Sequence, residues 1–326
     1  MGVVMKIVIS AGDINGIGLE IFYKAMLHKK WEGVEFTLVV SANTLKNYFD
    51  LMEFEYDFDL IQIIIGDNTI DIDPVFEASQ IDFGKVTIES GRHAVASLEK
   101  ATGLLQSGFA NAIVTLPISK EACQITNWNY PGHTEYFAEK FNSDYMMVLT
   151  NLQLYVALAT IHIPISKVTE KITKELLIEK VQMLDKTLRV DIGIAKPKIA
   201  VLGLNPHAGE NGHIGNEENI IINPAIAELK ANGYEVEGAY AADGFFAAKQ
   251  YHAFDGVLAM YHDQGLIPLK MLAFPGGVNF TAGLPVIRTS PDHGTAFAIA
   301  GQDVASAKSL IDSIELAEKI YSNRKK

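Results

Sequence analysis

Short runs of apolar and β-branched residues alternate along the chain with longer segments whose apolar positions recur at helical spacing. This alternation predicts an α/β fold, because strands and helices that follow one another pack as alternating layers. The predicted strands cover 6–10, 36–41, 112–117, 145–150, 155–163, 198–204 and 256–261. The predicted helices cover 90–107, 134–142, 169–188, 217–232 and 306–323. The chain shows no internal repeat or low-complexity linker, so compact connections must cross any domain boundary.

One predicted strand ends in an unusual way. The apolar run 256–260 is followed by four polar side chains, YHDQ (261–264), before apolar residues resume at 266. A core strand has no use for four successive polar groups, and a surface loop has no need of the apolar flanks. The pattern therefore indicates a strand that delivers polar groups to a site.

Three histidines share that context, because each lies at or just after the end of an apolar run: His162, His207 and His262. In open α/β sheets the carboxyl ends of the strands form the edge at which ligands bind. Neutral imidazoles at that edge could hold a divalent metal, zinc above all, with positions left open for substrate. Their spacing along the chain is not a metal-binding signature, and a hydrogen-bonded structural role is the alternative for each.

Two glycine-rich segments follow predicted strands. GLNPHAGENGHIGNEE (203–218) has glycines dense enough to let the backbone approach a ligand closely, which favours a functional loop. Its Glu217 and Glu218 are, in the simpler interpretation, partners of a helix dipole. AGDINGIGLEI (11–21) does not match the G-x-G-x-x-G dinucleotide fingerprint, so a Rossmann site is not predicted. A tight strand-to-helix turn and a ligand-binding edge both remain open for this segment.

Several residues are candidates for binding an anion. His133 and Thr134 stand at a predicted helix start, where free backbone N–H groups can bind one, although Thr134 could equally be an N-cap. Lys270, Asn279 and Arg288 lie among glycines and prolines, and isolated cations in an acidic protein are candidates for a phosphate or carboxylate. An ordinary surface charge is the alternative, and we favour it for Lys270 on sequence alone.

The totals exclude several classes of protein. At 326 residues the chain can bury the cores of one large or two ordinary domains. A formal net charge of −12 argues against a nucleic-acid or anionic-membrane partner. The single cysteine, Cys123, rules out an internal disulfide and fits a reducing compartment. With no signal peptide and no membrane-length apolar run, we expect a soluble cytoplasmic protein.

Together these segments resemble the 4-hydroxythreonine-4-phosphate dehydrogenase family of pyridoxal phosphate biosynthesis. The resemblance runs nearly the whole length, through GDINGIGLE, VTLPISKEA, PGHTEYFAE, ATIHIP, GLNPHAGENGHIGNEE, AADGFF, YHDQGLIPLK and GLPVIRTSPDHGTA in that order. It implies the two-domain α/β/α fold of the isocitrate and isopropylmalate dehydrogenases, which binds NAD without a Rossmann motif in a cleft between the domains.

The resemblance also assigns roles to residues. It implies that His162, His207 and His262 bind one divalent metal, with zinc the first choice and magnesium, cobalt or manganese the alternatives. It implies substrate binding by His133, Thr134, Lys270, Asn279 and Arg288. The segment HGTAFAIAG (293–301) is similar to the adenosine-binding loop of the same fold, which makes His293, Gly294, Thr295 and Ala296 candidates for NAD or NADP binding. Asp243, Asp263 and Lys120 are candidates for catalytic proton transfer, with no order among them.

The resemblance further implies an assembly. We expect a first domain of 1–130 plus 280–326, and a second domain of 131–279 that carries the metal histidines and the dimer interface. A homodimer with a shared active site is implied. The chain departs from the family at Ile14, Asn15, Leu19, Leu116, Gly244 and Ala298, and these positions concern the cofactor's ribose and the choice of substrate rather than the metal or the phosphate.

The implied reaction is the metal- and NAD-dependent oxidation of 4-phosphooxy-L-threonine at its C3 hydroxyl, with loss of carbon dioxide from the β-keto acid. The nearer alternative is a dehydrogenase of another phosphorylated four-carbon acid, such as phospho-threonate or phospho-erythronate. The farther alternatives are a hydrolase or acyltransferase on the same scaffold and, last, a non-catalytic binding protein.

Overall fold

The structure, a computed structural model, describes residues 4–59 and 61–326. The described chain forms two compact α/β units. The first runs to Tyr136 and resumes from Pro285 to Tyr321. The second comprises Phe137–Leu284 and Ser322–Lys326.

The strands and helices alternate as the sequence pattern predicts. The strands are β1 (Met5–Ser10), β2 (Val34–Val39), β3 (Asp57–Asp59), β4 (Gln62–Ile65), β5 (Asn68–Asp73), β6 (Ala112–Thr115), β7 (Met146–Thr150), β8 (Tyr155–Leu158), β9 (Ile199–Leu202), β10 (Val236–Tyr240), β11 (Gly256–Ala259), β12 (Val278–Ala282) and β13 (Ile287–Pro291). The helices are α1 (Gly18–His28), α2 (Ala42–Leu51), α3 (Ile88–Gln106), α4 (Lys120–Ile125), α5 (His133–Lys140), α6 (Val168–Lys171), α7 (Lys174–Val190), α8 (Asn223–Ala231), α9 (Ala242–Ala247), α10 (His262–Ala273) and α11 (Lys308–Arg324).

The sheet of the first unit has the order β13-β6-β1-β2-β5-β4-β3. Its centre is parallel, since β1 pairs with both β2 and β6, and β6 pairs with β13. The short hairpins β3–β4 and β4–β5 are antiparallel and form one edge. The central strands are largely buried, as is usual for parallel strands of an α/β sheet.

The sheet of the second unit has the order β10-β9-β11-β8-β7-β12. Strands β10, β9, β11 and β8 run parallel, whereas β7 pairs antiparallel with β8 and β12. Buried residues of β8, β9 and β11 and of helix α10 form one core, including Val156, Leu202, Val257, Leu266 and Leu269. The carboxyl ends of four neighbouring parallel strands therefore lie along a single edge of this sheet.

Several predicted elements are shorter or divided in the structure. The predicted strand 155–163 ends at Leu158, and the predicted strand 256–261 ends at Ala259. The predicted helix 169–188 is divided, because Thr173 adopts an extended backbone and its hydroxyl accepts from Leu176 N at the start of α7. In the part of the chain that the structure describes, no helix combines the length and apolar character that a membrane crossing requires.

The unit boundaries differ by a few residues from the expected domains, 1–130 plus 280–326 and 131–279. The segment up to Tyr136 packs in the first unit, and Val278–Ala282 pairs along its whole length with β7, which keeps residues up to Leu284 in the second. The last five residues also join the second unit. There Arg324 Nε donates to Asp191 Oδ1 at 2.7 Å, an ion pair that fastens this end of α11.

Helix α3 of the first unit contains a buried histidine, His93. His93 is fully buried, and neither ring nitrogen has a hydrogen-bond partner among the described residues. The ring of Phe76 meets it edge-on at 5.6 Å. Burial lowers the pKa of His93 from 6.5 to about 4, because a charged imidazole would lose its hydration there.

We predict that His93 makes the protein less stable as pH falls from 6.5 towards 4. In that window the unfolded chain takes up a proton that the folded chain does not, so the free energy of unfolding must decrease. Asp13 acts in the opposite sense, since burial raises its pKa from 3.8 to about 6. Replacing His93→Leu should therefore flatten the acid limb by up to about 1.4 kcal/mol per pH unit, the limit for one proton. Urea denaturation between pH 7.5 and 5 measures this, and parallel curves for the two proteins would disprove it.

Candidate active site

Four strand ends of the second unit carry the polar candidates. His162 follows β8, His207 follows β9, His262 follows β11, and Asp243 follows β10, each within a few residues of the strand. Since β10, β9, β11 and β8 are neighbours and parallel, all four side chains are delivered to the same edge of the sheet. The expectation from the sequence that this edge carries a site is consistent with this order of strands.

Side-chain hydrogen bonds tie three of these strand ends together. The hydroxyl of Thr160 donates to Met260 O at 2.7 Å, which joins the segment after β8 to the segment after β11. Gln264 Nε2 donates to Gly203 O at 2.6 Å, and its Oε1 accepts from Met260 N at 2.7 Å. The stems of the three histidines are therefore braced against one another by Thr160 and Gln264.

Two of the histidines face each other. The ring centroids of His162 and His262 lie 6.0 Å apart, a separation that two imidazoles sharing one ion can have. Asp263 Oδ1 lies 2.7 Å from His262 Nδ1. A carboxylate in that position orients the ring and leaves Nε2 for a ligand, the arrangement usual behind metal-binding histidines.

The third histidine lies on a left-handed turn. From His207 to Gly212 every residue has a positive φ, between 43° and 96°. Left-handed backbone costs an L residue with a side chain roughly 1–2 kcal/mol, so this turn is strained at His207, Ala208, Glu210 and Asn211. Within residues 4–59 and 61–326, no three His, Cys, Asp or Glu side chains lie close enough together to hold a metal ion. The structure thus brings His162 and His262 together but does not bring His207 into a three-residue group with them.

The polar tetrapeptide 261–264 begins a helix rather than ending a strand. Tyr261 has an extended backbone, and α10 starts at His262. Gly265 lets this helix lie directly on the sheet, because a Cβ there would stand 2.8 Å from Val156 Cγ1. The four side chains thus have separate roles: the first precedes the helix, the second faces His162, the third orients the ring of the second, and the fourth braces β9.

The other candidates of the second unit lie on α9, α10 and β12. Asp243 is exposed near the start of α9, and Lys270 is exposed on α10. Asn279 is half-buried on β12 opposite Leu149, and its Oδ1 is buried with no hydrogen-bond partner among the described residues. An amide oxygen left in this state is available to a ligand.

The first unit contains a buried cluster of nitrogen donors. Arg288, on β13, is only 1% exposed, and its Nη2 donates to Thr115 Oγ1 at 2.7 Å. His133, at the start of α5, has a buried Nε2 with no hydrogen-bond partner among the described residues. Thr134 is buried beside it, and Lys120 begins α4.

The ionisation of this cluster suits an anion. Burial lowers the pKa of His133 well below 6.5, and the charges of Arg288 and Lys120 lower it further, so the imidazole is neutral at pH 7. Burial lowers the pKa of Arg288 to about 9, against which Glu135 acts, so the guanidinium keeps its charge at pH 7. Positive charge without full hydration is what a phosphate or carboxylate group would stabilise.

The turn after β1 and the loop 293–299 meet in the first unit. Ile17 N donates to Thr295 O at 3.1 Å, and a Cβ on Gly16 would stand 2.9 Å from the same oxygen. Ala296 has a left-handed backbone, and His293 Nδ1 lies 3.0 Å from Gly294 O. A Cβ added to Gly294 would meet no atom within 4 Å, so backbone of this loop is open to a ligand.

The sequence analysis assigns no role to three further residues, Asp13, Thr160 and Gln264. Asp13 is fully buried in the turn after β1, accepts from Asn15 N and Ser90 Oγ, and keeps a raised pKa of about 6. Thr160 and Gln264 brace the histidine stems. Gln264 belongs to the polar tetrapeptide, so its position was visible, but its partner, Gly203, lies 61 residues away and no local pattern indicates it.

The second unit has paired imidazoles at a parallel-sheet edge, and the first unit has a cluster of nitrogen donors around the buried Arg288. Both features are typical of an α/β enzyme that handles a small anionic substrate. The comparisons with known proteins give the family. The profile described as pyridoxal phosphate biosynthetic protein PdxA matches residues 32–317. The chain belongs to this family.

Individual relatives agree over nearly the whole length. A 4-hydroxythreonine-4-phosphate dehydrogenase of Bacteroides thetaiotaomicron is 39% identical over 99% of this chain and 90% of its own. A D-threonate 4-phosphate dehydrogenase of Pectobacterium atrosepticum is 38% identical over 95% of this chain and 98% of its own. The crystal structure of 4-hydroxythreonine-4-phosphate dehydrogenase from Klebsiella pneumoniae superposes with a TM-score of 0.81 at 38% identity, covering 97% of this chain and 99% of that one.

The predicted fold class is confirmed. A β-decarboxylating dehydrogenase from Thermococcus kodakarensis, only 13% identical, shares the fold with a TM-score of 0.50 over 98% of this chain and 85% of its own. At that identity the likeness concerns the fold alone. It agrees with the isocitrate/isopropylmalate dehydrogenase-like architecture and with the failed dinucleotide fingerprint.

We predict that His162, His207 and His262 are each needed to bind one divalent metal. Replacing any one by Ala should lower the metal bound per chain and abolish activity, while the fold survives because none of the three side chains is buried. Elemental analysis of dialysed, metal-reconstituted protein measures this. His213→Ala is the matched control, an exposed histidine of the same glycine-rich loop. Unchanged metal content in the three variants would refute the assignment.

Proposed function

We propose that the protein oxidises 4-phosphooxy-L-threonine with a nicotinamide cofactor to 2-amino-3-oxo-4-phosphooxybutanoate, which loses carbon dioxide to give 3-amino-2-oxopropyl phosphate. The observation that carries the proposal is the 39% identity, over 99% of the chain, to a protein named for this activity. The buried, charged Arg288 and the nitrogen donors beside it support the proposal, because an acidic protein needs local positive charge to bind a phosphorylated substrate.

The donor chemistry of the strand-end histidines fits a divalent metal, and the 6.0 Å between the rings of His162 and His262 fits a shared ion. His162, His207 and His262 would hold it, with zinc the first choice and magnesium, cobalt or manganese the alternatives. Bound there, a metal supplies Lewis acidity that lowers the pKa of a hydroxyl group on the substrate. Asp263 would keep the ring of His262 in position.

The chain's own residues bind and orient the substrate. Arg288 and the start of α5 at His133 and Thr134 would receive the phosphate, with Lys270 and Asn279 completing its contacts. The unpartnered Nε2 of His133 and Oδ1 of Asn279 support this role, since each is a buried polar atom that a ligand would satisfy. His133 would donate from Nε2, while Arg288 supplies charge.

Proton transfer and cofactor binding fall to other side chains. Asp243 and Asp263 are the candidates to accept the hydroxyl proton, and Lys120 is the candidate to protonate the carbon left after loss of carbon dioxide. The loop with His293, Gly294, Thr295 and Ala296 would hold the adenosine part of NAD or NADP, which supplies the hydride acceptor. The open backbone at Gly294 supports this role, since a Cβ added there would meet no atom within 4 Å.

A second candidate function is oxidation of D-threonate 4-phosphate. The 38% identity to the Pectobacterium atrosepticum enzyme of that name favours it. The two substrates share the phosphate, the C3 hydroxyl and the carboxylate, and they differ in the amino group at C2 and in configuration. The phosphate and metal residues therefore do not discriminate between them.

A substrate panel tests the proposal. NADH formation should be measured with 4-phosphooxy-L-threonine, D-threonate 4-phosphate and D-erythronate 4-phosphate, each with and without added zinc, magnesium, cobalt or manganese. We expect metal-dependent NADH formation with the highest kcat/KM for 4-phosphooxy-L-threonine. A higher value for D-threonate 4-phosphate would establish the second candidate, and no NADH with any of them would refute both.

We predict that Arg288→Ala and Lys270→Ala each lower kcat/KM by about one to two orders of magnitude. Loss of a charge-assisted hydrogen bond costs roughly 1.5–3 kcal/mol, and that energy corresponds to such a decrease. The affinity for NAD should hardly change. Steady-state kinetics with the phosphorylated substrate and with its unphosphorylated analogue measure the effect.

The control for these two variants is Arg92→Ala, which removes an exposed arginine from α3. Because Arg288 is buried, thermal unfolding of Arg288→Ala must show that the variant is folded at the assay temperature. An equal decrease for both substrates would mean that neither cation contacts the phosphate.

We predict a homodimer whose active site takes residues from both chains. We also expect the protein to work in the cytoplasm, because its single unpaired cysteine fits a reducing compartment. If His207 and His262 of one site come from different chains, inactive His262→Ala and His207→Ala proteins should regain part of the activity when their subunits exchange, because one intact site can then form. Activity after mixing, with exchange followed by mass spectrometry, measures this. Complete exchange without any recovery would contradict a shared site.

A further inference from the structure

We infer that Glu218 is a positioning residue that holds the left-handed turn of His207 in the conformation from which this histidine reaches its ligand. The ligand part of this inference rests on the proposed metal site; the restraint of the turn does not. Neither the family resemblance nor the helix-dipole interpretation of Glu218 assigns it this role.

The carboxylate of Glu218 lies under the start of the turn. It is 2% exposed, and it stands at the beginning of a π-helical segment, Glu218–Ile222, that leads into α8. Its Oε1 accepts from the backbone N–H groups of Leu204 and Asn205, both at 2.8 Å. Its Oε2 accepts from Asn205 Nδ2 at 2.9 Å. One buried side chain thus satisfies three donors just before His207.

This arrangement requires that both side-chain oxygens of residue 218 accept hydrogen bonds. Asn205 Nδ2 also donates to Glu217 Oε2 at 2.7 Å, so its amide is held between two carboxylates. A glutamine at 218 would turn an NH2 group towards that amide or towards the two backbone donors. In either orientation a buried donor would lose its acceptor, which is why the charge and not only the shape of Glu218 is required.

The turn itself rests on the carboxylate. Gly209 has a φ of 78°, and a Cβ added to it would stand 2.5 Å from Glu218 Oε2. A Cβ added to Gly203, just after β9, would stand 3.0 Å from Ala208 Cα and 3.2 Å from Glu218 Oε1. The glycine at the centre of the turn is therefore explained by close approach to Glu218, and Gly203 by close approach to both the turn and the carboxylate, independently of any ligand.

The turn needs such a restraint because its backbone is unfavourable. His207, Ala208, Glu210 and Asn211 have side chains and yet adopt left-handed φ values of 43° to 56°. Without hydrogen bonds that fix the residues before it, the segment would relax to right-handed or extended conformations. His207 would then sample many positions, and a metal ligand that is not held in place binds weakly.

The helix-dipole interpretation predicts something different. An acidic residue in a first helical turn acts through its charge on the helix it begins, and its effect is on helix stability. The hydrogen bonds of Glu218 lead instead to residues 204 and 205, away from α8. The two interpretations predict faster hydrogen exchange of a Glu218 variant in different segments. The segment is 204–213 if Glu218 holds the turn, and α8 if it acts on the helix dipole.

The test compares Glu218→Gln and Gly209→Ala with two controls by hydrogen exchange and by metal titration. Glu228→Gln removes a carboxylate from exposed α8 that pairs with Lys174. Gly233→Ala strains another left-handed glycine, with φ of 86°, whose added Cβ would meet nothing within 4 Å. Exchange of amides 204–213 is followed by mass spectrometry, and Zn²⁺ or Co²⁺ affinity is measured on metal-free protein.

We expect Glu218→Gln and Gly209→Ala to speed exchange in 204–213 at least tenfold, with exchange in α8 unchanged. Both variants should weaken metal binding by about 10- to 100-fold, the usual effect of losing a group that orients a ligand. The controls should behave as the unmodified protein does. Two variants are used because Gly209→Ala keeps the carboxylate and displaces only the turn, so a folding defect in one leaves the other informative.

Wild-type exchange in 204–213 in both variants would overturn the inference, as would faster exchange confined to α8. If the unmodified protein binds no metal but the variants still loosen 204–213, the restraint by Glu218 is upheld and the proposed metal site fails. If the unmodified protein binds metal and the loosened variants bind it equally well, the positioning role is refuted while the metal site stands.

Discussion

The parallel pairing of β9, β11 and β8 is the constraint on which the rest of the candidate site depends. Val257 pairs with Val156 on one side and with Ala200 on the other, so the three strands end in register at one edge. Histidines separated widely in sequence thereby come from adjacent stems. Beyond the last strand residues, side-chain hydrogen bonds of Thr160 and Gln264 add to the backbone bonds between 159–160 and 259–260 and fix those stems.

Two different means of holding polar groups are visible in the two units. In the second unit His162 and His207 lie on irregular backbone that side-chain hydrogen bonds hold in place. In the first unit the nitrogen donors are part of regular structure, since Arg288 lies within β13 and His133 begins α5. Burial keeps His133 neutral and leaves Arg288 charged, so an acidic chain acquires a local positive site without a basic surface.

The sequence pattern was sufficient for the central strands and the long helices, because their apolar periodicity reflects burial directly. It failed where tertiary contacts decide. The run 155–163 predicts one long strand, but the strand ends at Leu158, and beyond it Ala159 N and Thr160 N still donate to Ala259 O and Met260 O. Helix α10 was missed because Pro268 lies inside it and its apolar residues continue the preceding strand.

The candidate residues were found from strand-end context and from the family resemblance, but not their supports. Glu218 bonds to residues 13 and 14 positions earlier, and Gln264 to Gly203, 61 positions earlier. Strand β5 alternates buried and exposed residues, and this signal was missed because the exposed positions are polar. Left-handed backbone at Ala208 has no sequence signature, since alanine does not favour it.

The central claim is that the strand-end histidines hold a metal to which the substrate binds directly. Visible absorption of the Co²⁺-substituted protein tests it, because the d–d bands report both the ligands of the ion and any change in them. We expect bands of a low-coordinate nitrogen-ligated site that shift on addition of 4-phosphooxy-L-threonine in the absence of NAD. Spectra of hydrated Co²⁺, or protein-bound bands that the substrate leaves unchanged, would contradict the claim.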